Sequence, residues 1–267
     1  MHHGNGRRAA HAIRAIGVVA LACLAPFAVQ AKDAPKTERP PIVDPRADFL
    51  LSEMGKTLAA ARQFSFRADI VYDDMLPSAQ KIQLAAIEDV AVRRPDRAYV
   101  EYEGDVGSKR LWFDGKRMTL YDGAENVYAT TPTPDKIDGA IRKLTDEHGF
   151  TPPLSDFLQA NPYAVLKEHA QLGAYLGLHD VAGTRCHHLA FVDKEFDWQI
   201  WIEDGTQLVP RKLVITYKTL PGSPQFAAVL SKWNLDERLA DATFVPFLPA
   251  GAVPIEFLKL EKSVTKK

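Results

Sequence analysis

The chain has 267 residues, of which 46% are apolar, and it carries 33 lysines and arginines against 34 aspartates and glutamates. Binding to nucleic acid needs a clustered basic face, and this near-neutral chain has no basic block, which argues against such a partner. The length and the apolar content are sufficient for a buried core.

The N-terminus has the order of parts that is typical of a secretory signal peptide. Three arginines lie within residues 7–14 with no acid near them, and an apolar run follows over residues 16–27. The run is too short to cross a membrane, and Ala31 ends a small-residue site of the kind that is cleaved. We expect cleavage after Ala31 and a periplasmic mature chain without a transmembrane span. The alternative is a lipoprotein anchored through Cys23, although the apolar run continues past that residue.

Residues 32–44 hold several prolines among charges, which predicts a flexible linker. Pro45 is then suited to the first position of a helix. Apolar residues recur at helical spacing as far as about Arg62 and predict an amphipathic helix. We expect a single domain over residues 45–258 and a charged tail over residues 259–267.

After this helix the apolar period changes to two, which is typical of strands with one buried face. The first such runs cover residues 66–72 and 82–86. Asp-Gly pairs at 114–115 and 122–123 predict hairpin turns, and further alternating runs follow over residues 174–235. About ten strands result. All of them are reachable by hairpins, so we expect an antiparallel sheet.

Residues 133–168 break the strand pattern and predict a helical insert. An apolar stripe at helical spacing runs from Ile137 to Leu144, and Gly149 predicts the end of that helix. Two shorter helices are expected before residue 168. The predicted fold class is α+β but mainly β: a strongly curved antiparallel sheet that forms an unclosed half-barrel. The N-terminal helix and the insert are the available covers for its concave face.

Cys186, His187 and His188 are the first candidates for chemistry. On a strand, Cys186 and His188 point to one face and His187 to the other. A metal centre would need two further converging ligands, and the sequence has no CxxC or HExxH pattern. A nucleophilic Cys–His pair is the other functional alternative. The structural interpretation is a partly buried thiol beside a surface histidine, and we expect neither a metal site nor a cofactor.

The stretch from Asp197 to Ile202 is the most distinctive in the chain. Trp198, Ile200 and Ile202 share one face of the predicted strand, and Trp201 lies on the other. Aromatic residues on both faces indicate a central strand that is covered on both sides. These side chains either form the wall of an apolar pocket or belong to an ordinary core, because both need the same residue types.

Catalysis has little support in the sequence. Acids cluster near residues 69–74 and 101–105, but they alternate with apolar residues as a solvated strand face does. The sequence has no glycine-rich phosphate loop and no GxSxG elbow. We therefore expect a protein that is not an enzyme.

Four segments together resemble a known family. They are Asp-Gly-Lys at 114–116 with the strand after it, Cys-x-His-Leu at 186–189, Asp-Trp-Gln-Ile-Trp-Ile at 197–202, and the strand at 210–217. On these residues the chain is similar, over about residues 45–255, to the predicted periplasmic family called domain of unknown function 2092. That family is in turn similar to the lipoprotein-carrier superfamily that includes LolA, LolB and the RseB-type regulators. The resemblance implies a LolA-like unclosed barrel with a helical lid over an apolar cavity, and residues 241–244 are similar to a C-terminal signature of those carriers.

We expect a periplasmic binding or carrier protein for an apolar ligand such as a lipid or an acyl chain. The expected partners are a lipid or lipidated protein, or another protein of the envelope. One alternative is a scaffold or envelope sensor whose core is filled by its own helices, and another is an enzyme that uses Cys186 and His188. The residues expected to line the apolar cavity are Phe66, Ile70, Leu84, Trp112, Phe191, Trp198, Ile200, Leu213 and Tyr217.

Overall fold

The computed structural model describes residues 42–149, 151–236 and 238–257. The expected signal peptide, the Cys23 anchor, the charged tail and the expected linker up to residue 41 lie outside these ranges. Residues 42–44, at the end of the expected linker, pair in parallel with Gly173. The Gly173 amide donates to the Ile42 carbonyl, and the Gly173 carbonyl accepts from the Asp44 amide, both at 2.9 Å.

Helix α1 spans Pro45–Ala60. Its start follows from local chemistry: the Asp44 carboxylate accepts from the Arg46 amide at 2.7 Å, and Pro45 has no amide hydrogen that would be left unpaired in the first turn. None of the helices in the described ranges combines the length and the apolar character needed to span a bilayer. The buried side chains of α1 repeat at helical spacing, and they include Leu50, Leu51, Met54 and Leu58.

Twelve strands form one sheet in the order β12-β6-β5-β4-β3-β2-β1-β11-β10-β9-β8-β7. Since β12 and β7 lie at the two ends of this order, the sheet is not closed. The mainly β, curved and unclosed architecture expected from the sequence is confirmed. The strand bounds are β1 Gln63–Met75, β2 Lys81–Arg93, β3 Arg97–Gly104, β4 Gly107–Phe113, β5 Arg117–Asp122, β6 Val127–Pro132, β7 Leu172–Val181, β8 Thr184–Val192, β9 Phe196–Glu203, β10 Pro210–Tyr217, β11 Gln225–Asn234 and β12 Val253–Ile255.

Two details of the sheet differ from expectation. The strands number twelve rather than about ten, and β12 pairs in parallel with β6, while the other neighbouring strands pair antiparallel. The parallel pairing of β12 follows from the connection over residues 235–252. This connection starts at β11, near the middle of the sheet, and ends beside β6 at the far edge. A tight hairpin forces an antiparallel return, but a connection of this length does not.

The insert contains helix α2 at Ile137–His148, a 3-10 turn at Ser155–Phe157 and helix α3 at Pro162–Glu168. Gly149 ends α2 with a φ of 64°, and its amide bonds to the carbonyls of the last helical turn. The second of the three expected helices is only the 3-10 turn, because Pro152 and Pro153 precede it and Leu154 already has a positive φ of 58°.

The core lies between the helices and one face of the sheet, which we call the inner face. Helix α1 contacts α3, β7 and β9. Ile137 and Ile141 of α2 lie around a small gap that they share with Phe113 of β4 and Met118 of β5. The opposite side, the outer face, carries the charged residues that alternate with the core residues along each strand, such as Arg67 on β1.

Candidate functional site

Two cavities on the inner face share residues of the insert, and the larger of these two, here called the larger cavity, has a volume of about 450 Å³ and lies between β1 to β5 and the turn that joins β10 to β11. Its volume is within the range of pockets that hold small molecules. Val106, Leu220 and Pro153 bring side chains from three different connections to it. Most of the strand residues that line it are aliphatic or aromatic, and they include Ile70, Val100, Leu111, Leu120 and Phe226.

A second cavity of about 370 Å³ lies under the insert, and we call it the smaller cavity. Trp198 of β9 and Leu213 of β10 form part of its wall, and residues 151–157 of the insert form another part. The Trp198 indole donates to the His169 carbonyl at 2.6 Å, which fixes the ring in the wall. Four residues line both cavities, and these are Pro152, Pro153, Tyr217 and Phe226.

Glu88 of β2 is the exceptional residue of the larger cavity. It lies on the inner face, directly across from Ala68 on β1 and Tyr102 on β3. Its side chain lines the cavity, only 2% of the residue is exposed, and its buried Oε1 atom has no hydrogen-bond partner among the described residues. Burial raises the pKa of Glu88 to about 8, so most of this carboxyl is uncharged at neutral pH.

Several other polar groups at the larger cavity have partners. The hydroxyl oxygens of Tyr72 and Tyr102 lie 3.3 Å apart. Burial, and then the bond to Tyr72, raise the pKa of Tyr102. The Lys109 ammonium donates to the Asp122 carboxylate at 2.5 Å. The cavity therefore offers an apolar wall in which the Glu88 carboxyl has an unsatisfied oxygen.

The wall of the smaller cavity contains three titratable side chains, Asp156, His169 and Tyr217. The pKa of Asp156 is raised by burial, and His169 opposes this shift. The pKa of Tyr217 is raised by burial and further by Asp156. Asp156 and Tyr217 are therefore less easily ionised than in water.

Residues 47–258 match the family described as predicted periplasmic protein (DUF2092). The chain belongs to this family. The family that the sequence analysis expected is thereby confirmed. Among curated proteins, none matches the chain. Similar solved structures include an uncharacterized conserved protein from Thermus thermophilus, LprF from Mycobacterium bovis and a LolA superfamily protein from Nitrosomonas europaea.

These three structures share low identity with the DUF2092 chain. The Thermus protein is 11% identical with a TM-score of 0.46, over 79% of this chain and 99% of its own. LprF is 14% identical with a TM-score of 0.44, over 72% of this chain and 95% of its own. The Nitrosomonas protein is 10% identical with a TM-score of 0.34, over 75% of this chain and 97% of its own.

The structure of this DUF2092 protein places four of the nine expected lining residues at a cavity. Ile70 lines the larger cavity, Trp198 and Leu213 line the smaller one, and Tyr217 lines both. All four side chains come from strands β1, β9 and β10.

The other five expected lining residues lie elsewhere. Phe66, Phe191 and Ile200 are on the inner face but are buried in the core, where Phe66 stacks on Trp233 with ring centroids 4.5 Å apart. Leu84 pairs with Tyr72 on the same face and is half-buried outside the cavity walls. Trp112 was placed on the wrong face. It is opposite Tyr99, on the outer face, because Leu111 and Phe113 take the inward positions of β4.

The Cys186 cluster lies away from both cavities. The thiol is buried and donates to the Thr184 carbonyl at 3.3 Å. Burial raises its pKa to about 11, so the thiol is protonated at neutral pH and is a poor nucleophile. Both neighbouring histidines are buried, although a surface histidine was expected. His188 is on the outer face, 3.0 Å from His179 through its Nδ1 atom and stacked on Trp201.

A metal site also has no support in this part of the chain. Across residues 42–149, 151–236 and 238–257, no three His, Cys, Asp or Glu side chains are grouped so that they could hold a metal ion.

Two important residues were missed by the sequence analysis. Glu88 could have been found, because it continues the inward register of Ile82, Leu84 and Ala86 and is the acid in an otherwise apolar row. Arg94 had no such signal, because its partners are backbone atoms of a segment more than 60 residues away in the chain. Its guanidinium donates to insert carbonyls, namely Leu158 at 2.6 Å, Gln159 at 2.5 Å and Phe157 at 3.2 Å.

Proposed function

We propose that this protein is a periplasmic, non-enzymatic binding or carrier protein for an apolar ligand such as a lipid or an acyl chain. The observation that carries the proposal is the larger cavity of about 450 Å³ with its aliphatic and aromatic wall. The smaller cavity beside it, with which it shares four lining residues, adds space of similar character.

The energetics favour a long apolar ligand. Each methylene group removed from water contributes about 0.8 kcal/mol. A chain of sixteen carbons would gain roughly 12 kcal/mol before the costs of ordering the chain and of association. This gain, from which those costs must still be subtracted, comes from apolar contact alone, and the cavity wall offers few charged groups.

The two alternative functions have less support. A scaffold with a self-filled core would leave no space under its helices, whereas two cavities lie between the insert and the inner face. An enzyme built on Cys186 and His188 would need an ionisable thiol in an open cleft, but this thiol is buried and its pKa is raised to about 11. A lipidated protein or an envelope protein as partner remains compatible with the same cavities.

Displacement of a fluorescent fatty acid from the purified mature protein tests the proposal. Leu120→Trp adds bulk inside the larger cavity and should weaken binding at least about tenfold, because a filled cavity excludes the chain. Ile87→Trp is the matched control, since Ile87 is 42% exposed on the outer face of β2. It should bind as the wild type does.

Native mass spectrometry of protein purified from the periplasm gives a second, independent test. We expect a mass with a co-purifying lipid and an N-terminus at Lys32. Absence of any bound lipid, together with no displacement of the fatty acid, would contradict the carrier function. Equal binding by the two tryptophan variants would place the ligand outside the larger cavity.

A further inference from the structure

Glu88 has no structural role that explains its position. A buried carboxyl normally has hydrogen-bond partners or an ion pair, but within residues 42–149, 151–236 and 238–257 the Oε1 atom of Glu88 has no hydrogen-bond partner. The opposite residue on β1 is Ala68, which has no polar side-chain atom, and the opposite residue on β3 is Tyr102, whose hydroxyl lies 3.3 Å from that of Tyr72. A buried acid in this condition destabilises the fold unless a ligand completes its hydrogen bonding.

The position of Glu88 makes it reachable from the larger cavity. The residue lines that cavity although it is almost fully buried. The last side-chain torsion of glutamate, χ3, has a broad and roughly two-fold distribution of angles. Rotation about this bond therefore exchanges the two carboxyl oxygens. Either oxygen can therefore be presented to a ligand in the cavity without a change in the backbone.

The surrounding charges restrict the chemistry of the ligand. Of the ionisable groups in the cavity wall, Lys109 is paired with Asp122 at 2.5 Å and Asp73 is paired with Lys81 at 3.4 Å. Among the described residues of the wall, a carboxylate ligand would therefore find no unpaired cation to offset the loss of its water. An ammonium ligand would have to lose its water and ionise Glu88 inside an apolar wall, and the desolvation of such a pair offsets most of its attraction.

We propose that the Glu88 carboxyl binds a hydroxyl group of the apolar ligand, so that the protein selects long-chain alcohols and other hydroxyl-bearing lipids. The proposal rests on the proposed function, because it names the ligand class for the larger cavity. A hydroxyl group both donates and accepts a hydrogen bond, which matches an uncharged carboxyl with one donor and one acceptor. Burial raises the pKa of Glu88 to about 8, which supports the uncharged form at neutral pH.

The test compares ligands that differ only at the polar end. Displacement of Nile red, a neutral dye, is measured at pH 7 with dodecanol, dodecyl methyl ether, dodecylamine and dodecanoic acid. The wild type should bind dodecanol about tenfold more tightly than the ether, because the ether can accept from the carboxyl O–H but cannot donate to the carboxyl's other oxygen. The amine and the acid should bind more weakly than dodecanol.

Three variants locate the effect. In Glu88→Leu the preference for dodecanol over the ether should fall to about one, since no polar group remains to be satisfied. Glu88→Gln should keep a preference, because an amide also donates and accepts. Glu103→Leu is the matched control, because Glu103 is an exposed acid opposite Ile87 on the outer face of β3, and it should keep the full preference.

The outcomes separate this proposal from the proposed function. If none of the four ligands displaces the dye from the wild type, the carrier function itself fails. If all four displace it but the ether matches dodecanol, or the preference persists in Glu88→Leu, only the role of Glu88 fails. Tightest binding of dodecylamine would also overturn the proposal, because the site would then select a cation.

Discussion

Replacing Glu88 by glutamine should stabilise the protein at neutral and alkaline pH. The folded state holds the Glu88 proton up to a pKa of about 8, whereas the value for an unburied glutamate is 4.5. Between these two values the folded state binds more protons than the unfolded state. The free energy of unfolding must therefore fall as the pH rises through this window, and glutamine removes that contribution because it does not titrate.

The size of the effect follows from the two pKa values. Within this window, each pH unit changes the free energy of unfolding by about 1.4 kcal/mol for one proton. A rise from 4.5 to about 8 corresponds to about 5 kcal/mol in full. Between pH 5 and pH 8, about 3 kcal/mol of wild-type stability should be lost through Glu88 alone. The amide that the substitution introduces is not charged at either pH, so the variant should lack this loss.

Urea unfolding followed by tryptophan fluorescence at pH 5 and pH 8 measures the difference. The free-energy gap between Glu88→Gln and wild type should widen by about 3 kcal/mol from the lower to the higher pH. Glu103→Gln is the control, because Glu103 is an exposed acid on the neighbouring strand β3. A gap that stays constant with pH would show that Glu88 is ionised in the folded protein, and the reasoning from its burial would be refuted.

Three further predictions concern parts of the fold outside the larger cavity. Arg94→Ala should lower the free energy of urea unfolding by about 3 kcal/mol, because several insert carbonyls lose a charged donor; a loss below about 1 kcal/mol would contradict the role of Arg94 in holding the insert. Gly55→Ala should lower the thermal midpoint despite the better helix propensity of alanine, because its Cβ would lie 2.6 Å from the Cβ of Tyr163. Cys186 should react with a thiol reagent only in urea, since it is buried with a pKa of about 11; rapid reaction of the folded protein at pH 7 would contradict this.

The alternation of apolar and polar residues predicted the strands well but not which face of a strand is the inner one. On β9 the inward row contains Trp198 and Ile200, and the period-two pattern identified it correctly. On β4 three consecutive residues are buried, Leu111, Trp112 and Phe113, so the pattern is ambiguous. The register with β3 decides it, and register is a long-range property that a single strand does not encode.

The candidate site depended on exceptions to the pattern, and these were only partly visible in the sequence. Glu88 stands in an apolar row, so its burial could have been inferred, but the missing partner of its Oε1 atom is a property of three adjacent strands. The space in the cavities was not predictable either. Whether Tyr217 fills the core or lines a cavity depends on the path of the insert, which Pro152 and Pro153 set at a distance in the chain.

On the proposed carrier function, the residues that the two cavities share have a consequence for ligand length. Pro152, Pro153, Tyr217 and Phe226 line both cavities, and the two prolines are stiff while the two half-buried aromatic rings can turn about their side-chain torsions. The rotamers of these two rings should therefore decide how far a ligand in one cavity extends into the other. Smaller residues at 217 and 226 should lengthen the chain that is accepted without any change to the sheet.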